Sequence, residues 1–501
     1  MPTLKSSPDI VFAVSPANAQ SAYMPFYFLY LAGYLEKCGY TVEILNPHEK
    51  DLEANIGLIL RELAIKRPRY VGLSCFVTDF NIITDLAARI KHSIIGTRIL
   101  VGNAHPSIAP EDFISEHSPF DIVVRGEGEL TVAEILSHPA EVSEPGIIRG
   151  IAYLKEGKPM ITQNRELMDL AECGMPAYHL IDVEWYKKIR KSIIRRLATV
   201  GAVIYTGRGC PFQCTFCASN TVWQANDATR EHPLVRKRPL AHVMQDLGIL
   251  QNVHGFDFFY ILDDTFGIRE EDAIAFCDAY RASGLRMLWG AETRASCIRN
   301  ERIVSILREA GCIQLDFGVE SGSPRMLKSI KKGCDVGQIA KAFELCRKGG
   351  LRTFANVLIN LPGEQAADLA KTEGLLAEIK PTYTSIGVTQ PYPGTEIAAH
   401  LPARVLKEDY QSLNRLFPAD KFRLSAHQGD LRQILLSWFA RYGVDTPFES
   451  SLFKADWRYW RALLTSKHRA AYLWFILKEV LLGPLRFIKS SLLTSKGEAW
   501  Q

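Results

Sequence analysis

The chain has 501 residues, of which 47% are hydrophobic and 23% charged, and its formal net charge is +4. A mean hydropathy of -0.02 excludes both a polytopic membrane protein and a chain too polar to fold. The length indicates roughly three domains. The weak excess of positive charge gives no global argument for a nucleic-acid partner.

Cysteine usage points to a reducing compartment. The eleven cysteines are an odd number spread from Cys38 to Cys346, and the first residues lack the long apolar run and the cleavage site of a signal peptide. These observations disfavour a disulfide framework and predict a cytoplasmic setting. No stretch of about 18 or more uninterrupted apolar residues is present, so no transmembrane helix is predicted.

Residues 1–140 alternate short apolar runs with helical stretches. The apolar runs, which predict strands, are Ile10–Val14, Tyr40–Leu45, Tyr70–Phe76, Arg98–Asn103 and Asp121–Glu129. The stretches with helical spacing are Phe26–Lys37, Ile56–Lys66 and Ile82–His92. Near-continuous apolar strands between helices are typical of a parallel sheet covered on both faces, so the sequence predicts a Rossmann-like α/β domain.

Sheets of this type bind ligands beyond the carboxyl ends of their strands. Small or polar residues that let a ligand approach the backbone stand at these ends: Ser74, Gly102, Asn103, His105, Gly126 and Glu127. Tight turns between strand and helix explain the glycines of any one loop equally well. The occurrence of two such loops together favours a binding site.

Three cysteines follow the predicted strand Ala202–Tyr205 in the sequence GRGCPFQCTFC. The C-x3-C-x2-C spacing of Cys210, Cys214 and Cys217 lets one short loop supply three thiolates to an iron–sulfur cube, whose fourth iron then has no protein ligand. An open coordination position distinguishes catalytic from structural metal sites. Structural zinc is the alternative, but it needs four ligands, and the nearest histidine, His232, has no paired ligand beside it.

This spacing resembles the signature of the radical S-adenosylmethionine (SAM) superfamily, whose members bind a 4Fe-4S cluster and SAM. The following sequence alternates predicted strands at Phe258–Leu262, Leu288–Glu292, Ile313–Val319, Arg352–Ile359 and Thr384–Val388 with predicted helices at Leu240–Asn252, Glu270–Ser283, Glu301–Ala310, Val336–Gly349 and Gln365–Ile379. The resemblance therefore implies a partial (β/α)6 barrel of TIM type over residues 196–400.

The resemblance also implies where SAM binds. Barrels of this type carry their functional groups at the carboxyl ends of strands, where this sequence places polar residues. By resemblance, Phe216 packs near the adenine, Glu320 lies near the ribose and methionine part of SAM, and the LPGE turn with Gly363 lies along the adenosine. Asp264 and Arg294 complete the predicted SAM-binding set. For each carboxylate alone, a solvated loop or a helix N-cap is the alternative, and Phe216 alone fits an ordinary core position.

Within the superfamily, the segment Asp316–Gly333 and the motifs LINLPGE, QPYPGTE, VGNAHPSIAPEDF and VVRGEGELT resemble the branch that carries an N-terminal cobalamin-binding domain. Asn103 replaces the second glycine of that branch's VGG-x-HP turn. The segment from Ser15 to Tyr23 contains no histidine, and His48 follows the second strand, where a surface loop is predicted. We therefore expect cobalamin to bind without a protein histidine on cobalt.

Residues 141–195 are predicted to link the two domains, and a solvated helix or linker explains their basic run Lys187–Arg196. Residues 401–501 show helical spacing, and Trp457–Lys496 contains eight Lys or Arg against one acidic residue, interleaved with aromatics. This composition fits an interfacial helix on an anionic membrane. The alternative is a helical domain that packs its aromatics onto the barrel mouth. Nucleic-acid binding is not expected, because no recognised module accompanies the charge.

The resemblance implies a cobalamin-dependent radical SAM enzyme, in which an electron from the reduced cluster cleaves SAM and the 5′-deoxyadenosyl radical removes a substrate hydrogen. The leading hypothesis is methylation of an unactivated carbon in a lipophilic, isoprenoid- or hopanoid-like substrate or a secondary metabolite. Anaerobic oxidative cyclisation or rearrangement is the alternative. Expected partners are a small-molecule or lipid substrate and an electron donor such as flavodoxin or ferredoxin. A non-catalytic iron–sulfur or cobalamin sensor is less favoured, because a sensor does not need the SAM-binding set.

Overall fold

The computed structural model describes residues 7–138, 147–224, 235–401, 405–410, 412–414, 420–427, 429–442, 457–478 and 481. The chain divides into two compact units, each built from separate segments. The first unit comprises residues 1–183, 207–239 and 390–423, and the second comprises 184–206, 240–389 and 424–501. The division into 1–140, 141–195, 196–400 and 401–501 stays a prediction.

The elements alternate along the chain. The strands are β1 (Ile10–Ala13), β2 (Val42–Leu45), β3 (Tyr70–Ser74), β4 (Arg98–Gly102), β5 (Ile122–Val124), β6 (Ile151–Lys155), β7 (Lys158–Ile161), β8 (Gly201–Ile204), β9 (Gly207–Arg208), β10 (Arg236–Lys237), β11 (Phe258–Ile261), β12 (Leu288–Thr293), β13 (Cys312–Glu320), β14 (Arg352–Ile359) and β15 (Tyr383–Val388). The helices are α1 (Phe26–Lys37), α2 (Leu52–Lys66), α3 (Phe80–Ser93), α4 (Ala104–Ile108), α5 (Gly128–Ser137), α6 (Val183–Tyr186), α7 (Ser219–Gln224), α8 (Leu240–Gly248), α9 (Glu270–Ala282), α10 (Glu301–Glu309), α11 (Pro324–Ser329), α12 (Val336–Lys348), α13 (Ala366–Ile379), α14 (Glu396–Ala399), α15 (Leu431–Tyr442) and α16 (Trp457–Thr465).

The first unit is built on a sheet with the strand order β2-β1-β3-β4-β5-β6-β7. The first five strands of that order are parallel, which confirms the predicted α/β sheet. Every residue of β1 and β3 is buried, as expected for strands covered on both faces. The sequence did not predict the antiparallel strands β6 and β7, which extend this sheet from within the predicted linker.

Residues from the far end of the chain complete the core of the first unit. Val405, Tyr410, Leu413 and Phe422 are buried in the same hydrophobic cluster as the helices and strands of the N-terminal sheet. Sequence spacing gave no sign of this, because the contact joins segments about 300 residues apart. The first unit is therefore not a contiguous N-terminal domain.

The second unit contains a parallel sheet with the order β15-β14-β13-β12-β11-β8, whose successive strands are connected by helices. This arrangement confirms the predicted six strands of a partial barrel. Helix α10 shows how the local sequence sets the fold. The Asn300 side chain caps it by accepting from the Ile303 N–H at 3.0 Å, and Ile303, Val304 and Leu307 form its buried face.

The C-terminal helices pack at the amino ends of the barrel strands. The Tyr459 hydroxyl on α16 donates to the Ala198 carbonyl at 3.0 Å, and the Val200 N–H donates to the Tyr472 hydroxyl at 2.7 Å. Tyr472 lies in a further helical stretch, residues 469–478. The prediction that the C-terminal aromatic residues pack onto the barrel mouth is therefore wrong, because Ala198 and Val200 precede β8 and lie at the opposite end of the strands. Among the described residues, no helix is long and apolar enough to cross a membrane.

Candidate active site

Two neighbouring strands of the first unit bring the predicted cobalamin-binding residues Ser74, Gly102 and Asn103 together. Ser74 pairs with Gly102 in the parallel register, and Asn103 Nδ2 donates to Ser74 Oγ at 2.8 Å. Asn103 has a φ of 86° and a ψ of −161°, a backbone conformation that is essentially restricted to glycine, so the asparagine is strained here. Its Oδ1 accepts from the Ala104 N–H at 2.7 Å. The asparagine that replaces glycine in this turn therefore keeps the turn conformation and adds two hydrogen bonds.

Ser107 links this turn to the loop after β5. Its Oγ donates to the Asn103 carbonyl at 2.6 Å, and the Gly126 N–H donates to Ser107 Oγ at 2.8 Å. Gly126 has a φ of +72°, so a side chain at this position would be strained. The three loops that carry the predicted cobalamin-binding residues are thus joined by hydrogen bonds at the carboxyl edge of the sheet.

His105 supports this edge from inside. The imidazole is fully buried, its Nε2 lies 2.8 Å from Asp112 Oδ2, and it packs edge-on against Phe113 and Tyr410. The Tyr410 hydroxyl donates to the same Asp112 oxygen at 2.6 Å. Burial alone would raise the pKa of Asp112, but hydrogen bonds from His105 and Tyr410 hold it below its usual value. The His105 side chain therefore belongs to the packing beneath the loop, and its contact with cobalamin stays a prediction.

The three motif cysteines lie half-buried in the loop after β9. The Cys217 N–H donates to the Cys214 carbonyl at 3.1 Å, which closes a turn between these two thiols. The Thr215 carbonyl accepts from the Ile397 N–H at 3.1 Å, and the Thr221 hydroxyl donates to the Gly394 carbonyl at 2.6 Å. The loop is therefore held on its carboxyl side by the segment around α14.

This donor set fits an iron–sulfur cube better than a single ion. No group of three or more His, Cys, Asp or Glu side chains within the described ranges converges closely enough to hold one metal ion. A structural zinc requires such convergence. A cube bonds each thiolate to a different iron, so its three ligands stay farther apart. Three partly accessible thiols in one loop meet that requirement.

The predicted SAM-binding residues are divided between the units. Phe216 lies half-buried in the cysteine loop of the first unit. In the second unit Asp264 is exposed and Arg294 is buried. The adjacent Asp263 is buried and accepts from the Thr206 N–H at 2.7 Å, so it serves to join two strand ends.

Two further members of the set occupy special backbone positions in the second unit. Glu320 has a φ of 61° at an irregularity in β13, is buried, and pairs with Lys332 at 2.8 Å. Gly363 has a φ of +69°, donates to the Leu424 carbonyl at 2.9 Å and accepts from Arg325 at 3.0 Å. The contacts of both residues with SAM stay predictions.

Beside Gly363 lies a buried acid that the sequence reading did not single out. Glu364 is fully buried, and its Oε2 accepts from the Asn360 N–H at 2.8 Å. Burial raises the pKa of Glu364 to about 7. The Nε2 atom of His427 lies 4.0 Å from the same oxygen, and the backbone N–H of His427 donates to the backbone carbonyl of Glu364 at 3.1 Å.

Sequence reasoning also missed the polar network inside the barrel. Arg195 donates to Asn356 at 2.7 Å and to Glu292 at 3.1 Å, and its Nε lies 3.5 Å from Asp316. Asp316 is buried and also accepts from the Tyr260 hydroxyl at 2.9 Å. Burial raises the pKa of Glu292 and of Asp316, and Arg195 opposes both shifts. Arg195 belongs to the basic run for which a solvated segment was predicted, and that explanation is wrong for this residue.

Comparisons with known proteins agree with this architecture. The model of the radical SAM superfamily matches residues 204–376, and the model of the B12 binding domain matches residues 16–136. An uncharacterized methyltransferase of Pyrococcus horikoshii is 28% identical over 427 residues, which cover 83% of this chain and 88% of that protein. An anaerobic magnesium-protoporphyrin IX monomethyl ester cyclase of Rubrivivax gelatinosus is 25% identical, covering 86% of this chain and 76% of the cyclase.

Two further similarities are more distant. The hopanoid C-3 methylase of Methylococcus capsulatus is 26% identical over 360 residues, covering 70% of this chain and 64% of the methylase. Among solved structures, the radical SAM methyltransferase TsrM of Kitasatospora setae superposes with a TM-score of 0.62 at 18% identity, covering 77% of this chain and 75% of TsrM. At that identity the superposition shows a shared fold.

The barrel, the cysteine loop and the two domain matches define a radical SAM enzyme. A B12-binding domain precedes the radical SAM domain, which is the domain composition of the cobalamin-binding branch of that superfamily, and the cofactors are a 4Fe-4S cluster, SAM and cobalamin. The family resemblance and the cofactors predicted from the sequence are thereby confirmed.

Proposed function

We propose that this enzyme transfers a methyl group to an unactivated carbon of a lipophilic substrate. One observation carries the proposal. The cysteine loop and the ligand-binding edge of the B12-binding domain belong to one compact unit, in which α4 packs against α7. An enzyme that uses cobalamin together with radical chemistry needs both cofactors on one framework.

Each part of the chain has a separate task in this proposal. Bound cluster and SAM supply a carbon-centred radical, and cobalamin supplies the methyl group. Cys210, Cys214 and Cys217 hold the cluster and leave one iron without a protein ligand. The chain's own residues orient the cofactors and exclude water, which is the contribution that a protein makes to cofactor chemistry.

A lipophilic substrate is supported by the outer face of the C-terminal helices. While Tyr459 and Tyr472 face the barrel, Trp457 and Trp474 are 62% and 66% exposed. Basic side chains at Arg461, Lys467 and Arg469 are exposed around them, and exposed apolar residues complete the face: Leu464, Leu473, Leu477 and Leu481. Residues 479–480 and 482–496 of the predicted membrane-binding segment lie outside the described residues.

This exposed face fits a negatively charged lipid surface. Each basic residue near an anionic leaflet contributes about 1 kcal/mol, and inserted aromatic side chains add to that. Peripheral attachment would give a cytoplasmic enzyme access to a substrate dissolved in the bilayer. The similarity to a hopanoid methylase supports the same substrate class. We assign reduction of the cluster to a flavodoxin or ferredoxin.

Membrane attachment is tested by co-sedimentation with phosphatidylglycerol vesicles. The double variant Trp457→Ser, Trp474→Ser should lose binding, because both side chains are exposed on the proposed face. The matched control is Ile65→Ser, Ile95→Ser, which removes two exposed apolar side chains elsewhere, 71% and 97% exposed. Equal sedimentation of the two variants would reject the membrane-bound face.

The type of reaction is tested by the fate of the SAM methyl group. Reconstituted enzyme is incubated anaerobically with a reductant, methyl-labelled SAM and a total lipid extract of the source cells. Methyl transfer predicts label in the lipid fraction that depends on cobalamin. Cyclisation, which the similarity to the cyclase supports as the second candidate, predicts SAM cleavage with the label retained in methionine and none in the lipid fraction.

A further inference from the structure

Arg208 stands two residues before Cys210, and its side chain forms ion pairs with two acids from another part of the first unit and also contacts the Cys173 thiol at 3.8 Å. Its Nη1 donates to Glu127 Oε1 at 2.8 Å, and its Nη2 donates to Glu129 Oε1 at 2.6 Å. Glu127 belongs to the loop after β5, and Glu129 lies in the first turn of α5. One guanidinium therefore bridges the B12-binding half of the unit and the start of the cysteine loop.

A second arginine balances the charge of this cluster. Arg236 donates to both oxygens of Glu127, at 2.7 and 3.1 Å, and the Met168 N–H donates to Glu127 Oε2 at 3.1 Å. Burial alone would raise the pKa of Glu127, but Arg208 and Arg236 hold it below its usual value. Two buried carboxylates facing two guanidiniums form a neutral network in which each group depends on the others. The Glu127 carboxylate is fully engaged in it, and its contact with cobalamin stays a prediction.

The backbone gives Arg208 little independent support. Strands β9 and β10 pair over two residues each, Gly207 with Lys237 and Arg208 with Arg236. A ladder this short is weak by itself, so the side-chain ion pairs set the position of residue 208. From there Gly209, with a φ of +95°, leads directly into Cys210. Only Gly209 therefore separates the arginine that contacts the loop after β5 from the first predicted cluster ligand.

We propose that Arg208 is a positioning residue that couples the cobalamin-binding loop after β5 to the iron–sulfur cluster. The inference rests on the proposed use of both cofactors and adds an energetic link between them. Binding of cobalamin shifts the Glu127 and Glu129 carboxylates, and Arg208 transmits that shift to the cysteine loop. Because coupling between two sites is reciprocal, an assembled cluster changes the affinity for cobalamin by the same factor.

The test measures this coupling in the full-length chain, reconstituted anaerobically with iron and sulfide. One measurement is the dissociation constant of hydroxocobalamin, determined with and without the cluster. The other is the electron paramagnetic resonance spectrum of the reduced cluster, recorded with and without hydroxocobalamin. In the native protein we expect the dissociation constant to differ about fivefold or more and the cluster spectrum to shift. Glu129→Gln removes one charge of the bridge, and Arg208→Lys replaces the two-nitrogen fork by a shorter side chain with a single ammonium group. In both variants the two effects should disappear while both cofactors still bind.

The matched control is Glu134→Gln, which lies on the same helix and breaks an ion pair with Arg165 away from the cysteine loop. It should keep the native coupling. Where a variant assembles no cluster, the spectrum is replaced by the rate at which the metal-free Cys210 thiol is alkylated, measured with and without hydroxocobalamin. Hydroxocobalamin should change that alkylation rate only in the native protein and in the control. Independent binding of the two cofactors in the native protein, or undiminished coupling in Glu129→Gln, would overturn the inference and leave the proposed function standing. Failure of the native protein to bind cobalamin would overturn both.

Discussion

Replacing Arg195 by methionine should destabilise the barrel through one buried carboxylate. Methionine keeps most of the aliphatic volume, including packing near Phe354, over which the guanidinium lies at 5.0 Å. It removes the positive charge 3.5 Å from Asp316, whose side chain is 0% exposed. Asp316 keeps its hydrogen bonds from Tyr260 and Gln314, both at 2.9 Å. The charge, and not the packing, is what this variant tests.

The size of the effect follows from exposure. Breaking a buried pair by removing one partner costs about 3–5 kcal/mol, whereas an exposed pair contributes about 0–1 kcal/mol. Arg195 is itself 34% exposed and Glu292 is 35% exposed, so their contact contributes little. Water reaching Arg195 also weakens its pairing with Asp316. We therefore expect a loss of about 3 kcal/mol in the free energy of unfolding near neutral pH, the lower end of the buried range.

The loss should depend on pH in a defined direction. Burial raises the pKa of Asp316 above its unfolded value, and removing Arg195 raises it further. A carboxyl group with a raised pKa destabilises the fold when it must ionise, above its unfolded pKa, and costs nothing once protonated in both states. The difference between Arg195→Met and the native protein should therefore shrink as the pH falls through the raised native-state pKa of Asp316, below which the carboxyl group is protonated in both folded proteins.

Urea unfolding followed by tryptophan fluorescence, at about pH 7.5 and pH 5, measures these differences. Arg281→Met is the control, because its partners Asp278 and Glu309 are exposed, and it should change stability by less than about 0.5 kcal/mol. Adding Asp316→Asn to Arg195→Met should recover most of the loss. The reasoning is refuted by a loss below about 1 kcal/mol or by a loss of equal size at both pH values.

Three further outcomes are expected. Replacing Cys210, Cys214 or Cys217 by serine should lower the iron content of the reconstituted protein and abolish reductive SAM cleavage. Replacing the buried Cys346 by serine should leave the iron content intact. The cobalt spectrum of bound cobalamin should show no histidine nitrogen and should not change in His48→Ala; loss of an axial nitrogen signal in that variant would contradict this. The pKa of Glu364 is raised to about 7, so ionisation of this carboxyl group lowers the stability of the native protein as the pH rises through 7. We therefore expect Glu364→Gln to be more stable than the native protein by up to about 3 kcal/mol at about pH 8 but not at about pH 5. Equal urea midpoints at about pH 8 would show that Glu364 ionises without cost.

The sequence by itself determined most of the strands and helices of the two sheets and the ligand spacing of the cysteine loop. Strand β3 is buried on both faces and is mostly apolar, and the helices between the strands show a helical spacing of apolar residues that is visible in the local sequence. The spacing of Cys210, Cys214 and Cys217 is also a local property, since one loop carries all three ligands. These features are independent of the remainder of the chain, which is why they could be predicted.

Tertiary structure alone decided which charges are buried and which distant segments meet. Arg195 and Arg208 look like ordinary basic residues in the sequence, yet each binds acids brought to it by other elements. Tyr410 completes the core of the N-terminal sheet, and Tyr472 closes the amino end of the barrel. The physical reason is that hydrophobic burial and ion pairing depend on partners about 80 to 300 residues away along the chain, and a local period contains no information about those partners.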